Sequence, residues 1–388
     1  MKTVGIICEY SPFHNGHEYH IKQIKKLYPD ATIVLILSGN FTQRGLPSIL
    51  DKWTKTQIAL QHGVDLVVEL PFVFATQSAD IFARGSISLL KALNVDILVF
   101  GSEENNIQML QELAHIQCNN PKYDQLVKTY LQEGVNYPTA MSKALESFHS
   151  STITSPNDLL GLSYVKEIIK QQAKIEPVTI QRTNDFHDTK STSDIVSATR
   201  IRTALKNNED ISHYVPSDTL SALNEHVVNI EDYWPLLFYR LSLAQTTIAS
   251  NQTVDEGIEH RILKHFPECS SIEELTHKIK TKRYTYNKLM RMSLHILCNF
   301  TKEEAKEIPY PTYIRVLGMN QAGISYLNSI KKNCPLPIIS ALNQIDDLCS
   351  QIEYRTTAVY SSTFTPEKRK QLLAKEFQKK PIIQKNTL

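Results

Sequence analysis

Val4-Gly5-Ile6-Ile7-Cys8-Glu9-Tyr10-Ser11-Pro12-Phe13-His14-Asn15-Gly16-His17 is the stretch whose reading decides the fold. A short apolar run over residues 4–8 gives way to a proline-bearing loop. The loop delivers His14-x-Gly16-His17 into a helical pattern over residues 18–27. Strand, tight turn and helix together point backbone N–H groups and the positive end of a helix at a phosphate. Two histidines add charge-stabilising side chains at the same point, and Gly16 lets a ligand approach the backbone closely.

Working outward, apolar runs recur at residues 32–37, 66–70, 97–100 and 178–180, with helical patterns between them at 52–61, 79–93 and 158–171. Near-continuous apolar strands, not alternating ones, are what a parallel sheet covered on both faces requires. Gly63 and Asn94 stand where left-handed helix ends are expected, and Asp51 where a helix N-cap is expected. The fold class expected is α/β, a Rossmann-like doubly wound parallel sheet followed by a mainly α-helical C-terminal domain, and His14-x-Gly16-His17 resembles the motif of the nucleotidyltransferase superfamily, which implies the nucleotidyltransferase form of that sheet. In such sheets ligands bind at the carboxyl ends of the strands. The loops at residues 9–17, 38–45, 71–72 and 101–104 should therefore converge on one crevice. Residues 105–155, polar and helical with Tyr123, Tyr130 and Tyr137, read as an insertion, and Ser155-Pro156-Asn157-Asp158 opens the next helix.

A second phosphate-type element follows the last strand. Gln181-Arg182 leads into a polar loop at 186–194, expected to be mobile without ligand. Then Ser197-x-Thr199-x-x-Arg202 opens a helix with hydroxyls and, one turn in, arginine. Both elements can face one crevice and hold a nucleoside triphosphate, with His17 near the α-phosphate and Ser197, Thr199 and Arg202 on the outer phosphates. Phosphoryl and nucleotidyl transfer ask for positioning and neutralisation of oxygen charge, which histidines and arginines supply without a nucleophile. Mg2+ is expected with the phosphates, although no carboxylate cage is visible. His14, His17 and His20 lack a third kind of ligand nearby, so no protein metal site is expected. Gln43 and Arg44 fit a surface turn or an acceptor-substrate contact equally well. Glu103 and Glu104 are too isolated for an acid/base pair.

The 388 residues suffice for two domains, and the net charge of +2 confines any nucleic-acid surface to a local patch. Six scattered cysteines, with no Cys-x-x-Cys pair, suit reduced thiols better than a zinc ribbon or disulfide scaffold. No signal peptide or membrane-length apolar run is present, so a cytoplasmic protein with no membrane partner is expected. Beyond residue 215 strand patterns vanish and helical ones dominate, at 232–244, 256–265, 271–280 and 287–298. The expected domains are 1–215, holding the nucleoside triphosphate, and 216–388, helical. Lys278, Lys280, Lys282, Arg283, Lys288 and Arg291 cluster with Tyr284 and Tyr286. A solvated helix face and an RNA-backbone platform with stacking both fit that cluster.

The blocks Gly5 through His17, Ser38-Gly39-Asn40-Phe41-x-Gln43-Arg44-Gly45, Asp51-Lys52-Trp53, Asp65-Leu66-Val67-Val68-Glu69-Leu70-Pro71-Phe72, Phe100-Gly101-Ser102-Glu103, Ser155-Pro156-Asn157, Ser197-Ala198-Thr199-x-Ile201-Arg202, Thr281-Lys282-Arg283-Tyr284-Thr285 and Arg315-Val316-Leu317-Gly318 resemble the tRNA(Met) cytidine acetate ligase family. They span nearly the whole chain. Ala198 departs from the wider superfamily, where serine is usual. The resemblance implies acetylation of the wobble cytidine of elongator tRNA(Met) at N4. Free acetate and ATP are the co-substrates, and acetyl-adenylate is the intermediate. It also implies ATP contacts at Ile7, Cys8, Glu9, Tyr10, Ser11, Pro12, Phe13, His14, Asn15, Gly16, His17, Glu18, Tyr19, His20, Gly101, Asn157 and Arg182. Catalytic roles fall to His14, His17 and Arg202, with Ser197 and Thr199 also binding ATP. Two other readings remain open on the residues. One is a small-molecule adenylyltransferase, against which the large basic helical half speaks. The other is an RNA-binding protein with a nucleotide-sensing site, against which the intact histidines and Arg202 speak.

Overall fold

A mixed sheet organises the molecule in the computed structural model, which describes residues 2–148, 153, 155–182, 194–225, 227–243 and 246–385. Of the polar loop expected at 186–194, all but Asp194 lies outside the described residues. The strands are β1 (Thr3–Cys8), β2 (Thr32–Ser38), β3 (Leu66–Leu70), β4 (Ile97–Ser102), β5 (Glu176–Gln181), β6 (Ile314–Met319), β7 (Ile338–Ile339) and β8 (Ile382–Ile383). Their order is β5-β4-β1-β2-β3-β6-β7, with β8 also pairing with β6. The first five are mutually parallel, in register Gly5↔Val34, Ile36↔Val68 and Val99↔Val178. β2 and β3 are buried at every position, which accounts for their unbroken apolar runs. The chain lays down β1, β2 and β3 on one side, then crosses so that β4 flanks β1 on the other. The crevice of this topology therefore opens at the carboxyl ends of β1 and β4.

Helix boundaries follow local chemistry. Asp51 accepts hydrogen bonds from the N–H groups of Trp53 at 3.0 Å and Thr54 at 3.1 Å, starting the helix Lys52–Gln61. Asn94 adopts a left-handed φ of 57° just past the helix Ala79–Ala92, as its position suggested. The 105–155 insertion comprises the helices Ile107–Asn119, Pro121–Gln132 and Tyr137–Glu146. Tyr123 is buried there and accepts from the Gln117 side-chain amide at 3.0 Å.

The expectation of no strand beyond residue 215 is corrected by β6, which closes the sheet edge antiparallel to β3, with Leu66 opposite Met319 and Val68 opposite Val316. A charge buried at its second position hid this strand. Arg315 is fully buried, and its guanidinium reaches Glu69 of β3 at 2.9 Å and Glu376 at 2.5 Å. Lys52, equally buried, meets Glu69 at 2.5 Å, Glu376 at 2.8 Å and Glu353 at 3.2 Å. Two cations thus face three carboxylates. Burial pushes the Glu353 carboxyl up to about 8, so it takes a proton and the cluster approaches neutrality. These five side chains weld both halves of the chain into one core. Apart from β6, β7 and β8, the described second half is mainly helical, including Trp234–Leu243, Ile258–His265, Ile272–Ile279, Tyr286–Leu297 and Leu348–Tyr360. No helix among the described residues is long and apolar enough to cross a membrane.

Candidate functional site

The loop after β1 is built to turn sharply. Tyr10 takes a left-handed φ of 47°, the Ser11–Pro12 peptide is cis, and Phe13 is fully buried. A left-handed non-glycine residue costs roughly 1–2 kcal/mol. Buried Tyr10 offsets that cost through its edge-on contact with Phe13 at 4.8 Å between ring centroids. The turn places His14 as the N-cap of the helix Asn15–Leu27.

Here the two histidines bond reciprocally. His14 Nδ1 accepts from the Gly16 N–H at 3.0 Å, and His17 Nδ1 accepts from the His14 N–H at 3.2 Å. The rings stack at 3.8 Å. A neutral imidazole that accepts at Nδ1 must carry its proton at Nε2. Each ring is therefore fixed as an Nε2–H donor by the backbone itself. Burial, reinforced by Arg182, holds His14 down at about 3 and His20 at about 4. Burial and the neighbouring His14 also hold His17 well below its ordinary value. All three are neutral donors near pH 7.

The second motif faces the first across one cavity of about 790 Å³. Thr199 Oγ lies between two guanidinium groups, 3.1 Å from Arg202 and 3.5 Å from Arg44. Arg202 also donates to the Ser11 carbonyl at 2.8 Å, tying the two motifs together. Burial, then the charge of Arg44, lowers Arg202 to about 10. Two like charges held this close, partly out of water, form a place for an anion. Ser197 caps the helix Ala198–Lys206 by accepting from the Arg200 N–H at 3.2 Å, and it still lines the cavity.

Of the residues singled out in the sequence, Ile7, Cys8, Glu9, Tyr10, Ser11, His14, Gly16, His17, Tyr19, His20, Gly101, Asn157, Arg182, Ser197, Thr199 and Arg202 all line this cavity. Pro12, Phe13, Asn15 and Glu18 are not among its lining residues. Phe13 is core, Asn15 donates to the Asp194 and His213 carbonyls at 2.9 and 2.8 Å, and Glu18 pairs with Lys22 at 3.0 Å. These residues shape the loop from behind. Burial pushes the Cys8 thiol up to about 12, so it is no thiolate nucleophile. Gly101 packs under Arg182, where an added Cβ would meet Arg182 Cγ at 3.2 Å.

The roles of three contributors escaped the sequence reading. Lys55 is fully buried and donates to the carbonyls of Glu9, Ser38 and Gly39 at 2.9, 2.8 and 2.8 Å, which pins the ends of β1 and β2 to each other. Asp158, also fully buried, takes the Ser102 hydroxyl, the Ser155 hydroxyl at 2.6 Å and the Glu104 N–H at 3.1 Å, which fixes the Asn157 turn to the end of β4. Arg291 belongs to the basic cluster, yet it is buried and donates to the Gln43 carbonyl at 3.0 Å. A lysine within a helix, or an aspartate beside Asn157, carries no such signal in one dimension.

The rest of the 278–291 cluster divides. Tyr284 is buried, with its hydroxyl on the Asp255 carbonyl at 2.6 Å, so it is no stacking platform. Lys278 is paired with Glu274 at 3.2 Å, as on a solvated helix face. Lys280, Lys282, Arg283 and Tyr286 are exposed. Arg283, Lys288 and Arg291 reach the lip of the same cavity that holds the histidines.

The chain matches the family model described as HIGH Nucleotidyl Transferase over residues 1–376. It is 40% identical over 401 residues to the tRNA(Met) cytidine acetate ligase of Geobacillus sp. (strain WCH70), covering 99% of this chain and 100% of that one. It is 38% identical over 400 residues to the protein of the same name from Oceanobacillus iheyensis, with 99% and 100% covered. Among solved structures, apo Thermotoga maritima TmcAL superposes with a TM-score of 0.93 at 30% identity, both chains being covered fully. The same protein bound with alpha-thio ATP superposes with a TM-score of 0.88 at 29% identity, again over both full chains.

Proposed function

The chain belongs to the tRNA(Met) cytidine acetate ligase family, among the HIGH nucleotidyl transferases, and from that premise we propose that it joins acetate to N4 of the wobble cytidine of elongator tRNA(Met) at the expense of ATP. ATP occupies the crevice at the ends of β1 and β4. An acetate oxygen attacks the α-phosphorus, the bond to the β-phosphate breaks, and pyrophosphate leaves. The Nε2–H groups of His14 and His17 meet the charge that develops on the α-phosphate oxygens, each such donor contributing about 10²- to 10³-fold in rate. Arg202 and Thr199, with Arg44 beside them, hold the departing phosphates. The cytidine amine then attacks the acetyl carbon, AMP leaves, and N4 gives up a proton.

The observation that carries this reading is the continuity of the cavity. His14 and His17 of the first motif and Ser197, Thr199 and Arg202 of the second line it together with Arg283, Lys288 and Arg291. An adenylate made at the histidines therefore faces a basic lip contributed by the second half of the chain. Residues 1–215 accordingly serve ATP, and 216–388 serve as the tRNA platform, with Lys280, Lys282 and Arg283 meeting phosphates. Mg2+ accompanies ATP in this proposal. Among the described residues no three His, Cys, Asp or Glu side chains converge as a metal site. Phosphate oxygens and water would hold it, and no step above passes through it.

The test is incubation with ATP, labelled acetate and bulk tRNA, followed by digestion to nucleosides. Labelled N4-acetylcytidine, with stoichiometric AMP and pyrophosphate, is expected. Adenylylation of a phosphorylated metabolite without labelled nucleoside would overturn the proposal.

A further inference from the structure

Glu103 stands just beyond β4, behind the cavity wall. The turn that carries it is anchored at Ser102, Glu103 and Glu104. The Ser102 hydroxyl bonds buried Asp158, the Glu104 N–H donates to the same carboxylate at 3.1 Å, and the Gln181 amide donates to the Glu103 carbonyl at 2.6 Å. The side chain is then committed to two cavity-lining residues. Glu103 Oε1 accepts from Asn157 Nδ2 and lies 3.6 Å from Arg182 Nε. The other oxygen, Oε2, is buried with no hydrogen-bond partner among the described residues.

An ionised carboxylate only accepts hydrogen bonds. The Asn157 amide must therefore turn its NH2 toward Glu103, and its Oδ1 is left for whatever enters the cavity. An asparagine free to flip could present either group at that edge, but one held by a carboxylate presents its Oδ1, an acceptor. We propose that Glu103 is a positioning residue that fixes the Asn157 amide, so that the site selects its nucleotide by a hydrogen-bond donor on the nucleoside, either the exocyclic amine of the base or a ribose hydroxyl. This rests on the proposed placement of ATP. It adds a chemical filter that the phosphate contacts lack, since those are common to all nucleoside triphosphates.

The filter is measured by isothermal titration without acetate, using ATP, purine-riboside triphosphate, 2′-deoxy-ATP and 3′-deoxy-ATP. Wild-type protein should bind at least one analogue about ten- to a hundredfold more weakly than ATP, the cost of an unmet acceptor in such a site. The penalised analogue tells amine from hydroxyl. In Glu103→Gln the ratio of ATP to that analogue should fall toward one, because a glutamine amide lets Asn157 flip. Asn157→Ala should abolish the ratio as well. Glu103→Asp keeps an acceptor one methylene farther away and should preserve part of it. A purely structural role for Glu103 would weaken every ligand by one factor and leave the ratio intact. That result, or a wild type indifferent to all three analogues, overturns the inference. ATP binding without acetylcytidine formation would refute the proposed reaction alone.

Discussion

His14 performs two jobs through two nitrogens, and substitution can separate them. Nδ1 accepts from the Gly16 N–H and caps a helix, while Nε2 carries the proton of a ring that lines the cavity. Alanine removes both. Loss of the cap costs about 1 kcal/mol. Unfolding entropy near 2.1 cal/mol/K per residue makes that a drop in Tm of roughly 1 °C for a chain of this size. Loss of the donor costs a factor of about 10² to 10³ in adenylate formation. Asparagine is as good an N-cap as any residue, and its Oδ1 reaches the same N–H, but it carries nothing equivalent to Nε2–H. His14→Asn should therefore recover the stability lost in His14→Ala to within a few tenths of a kcal/mol, while its rate stays low. Acetate-dependent exchange of labelled pyrophosphate into ATP reads the rate, and urea unfolding reads the stability. If His14→Asn regained activity together with stability, the histidine would be a cap alone and the donor role assigned to it would be refuted.

Three further outcomes are expected. His20 stays neutral when folded, near 4, and binds a proton below about 6.5 when unfolded, so its contribution to stability is intact above pH 6.5 and declines below it by about 1.4 kcal/mol per pH unit. Glu353, raised to about 8, acts in the opposite sense, so the comparison is made with His20→Gln. Its urea-unfolding free energy should fall less steeply between pH 6.5 and 5 by that amount, and parallel slopes would dismiss the assignment. Gly45→Ala places a methyl 2.2 Å from the Arg291 N–H nitrogen at a φ of 81°, so the 38–45 loop must part from the helix Tyr286–Leu297. A loss above about 2 kcal/mol and weaker pyrophosphate exchange are expected, and an unchanged Tm would contradict the packing described. Lys280→Ala with Lys282→Ala should spare pyrophosphate exchange, weaken tRNA binding, and reduce the salt dependence of that binding by up to about two phosphate contacts in a salt titration. A tRNA affinity equal to that of the wild type would remove these lysines from the platform.

The parallel half of the sheet was legible because burial on both faces leaves its mark residue by residue. The runs at 32–37 and 66–70 reappear as Thr32–Ser38 and Leu66–Leu70. The two motifs that line the cavity were legible for a similar reason, since each is compact and each opens a helix. β6 was not, because its buried arginine reads as surface until Glu69 and Glu376 are placed beside it. The same limit hid Lys55 and Asp158, whose partners are carbonyls and hydroxyls delivered by other loops. Within 278–291, charge alone could not tell buried Arg291 from exposed Lys282. Composition reports what a segment contains, and only packing decides which side of it meets water.

The buried charge cluster also sets a timetable. Lys52 and Glu69 leave the ribosome early, while Glu353 follows Lys52 by 301 residues. At about 5–20 residues per second, that is an interval of roughly 15–60 s. For most of it, until β6 emerges, β3 is an open edge, and to its end Lys52 has one of its three carboxylates. The nascent parallel part of the sheet must wait, unsealed, for the last part of the chain to emerge. A stalled or prematurely ended chain would then present that edge to any strand that can add to it, a hazard created far from the site where the chemistry is done.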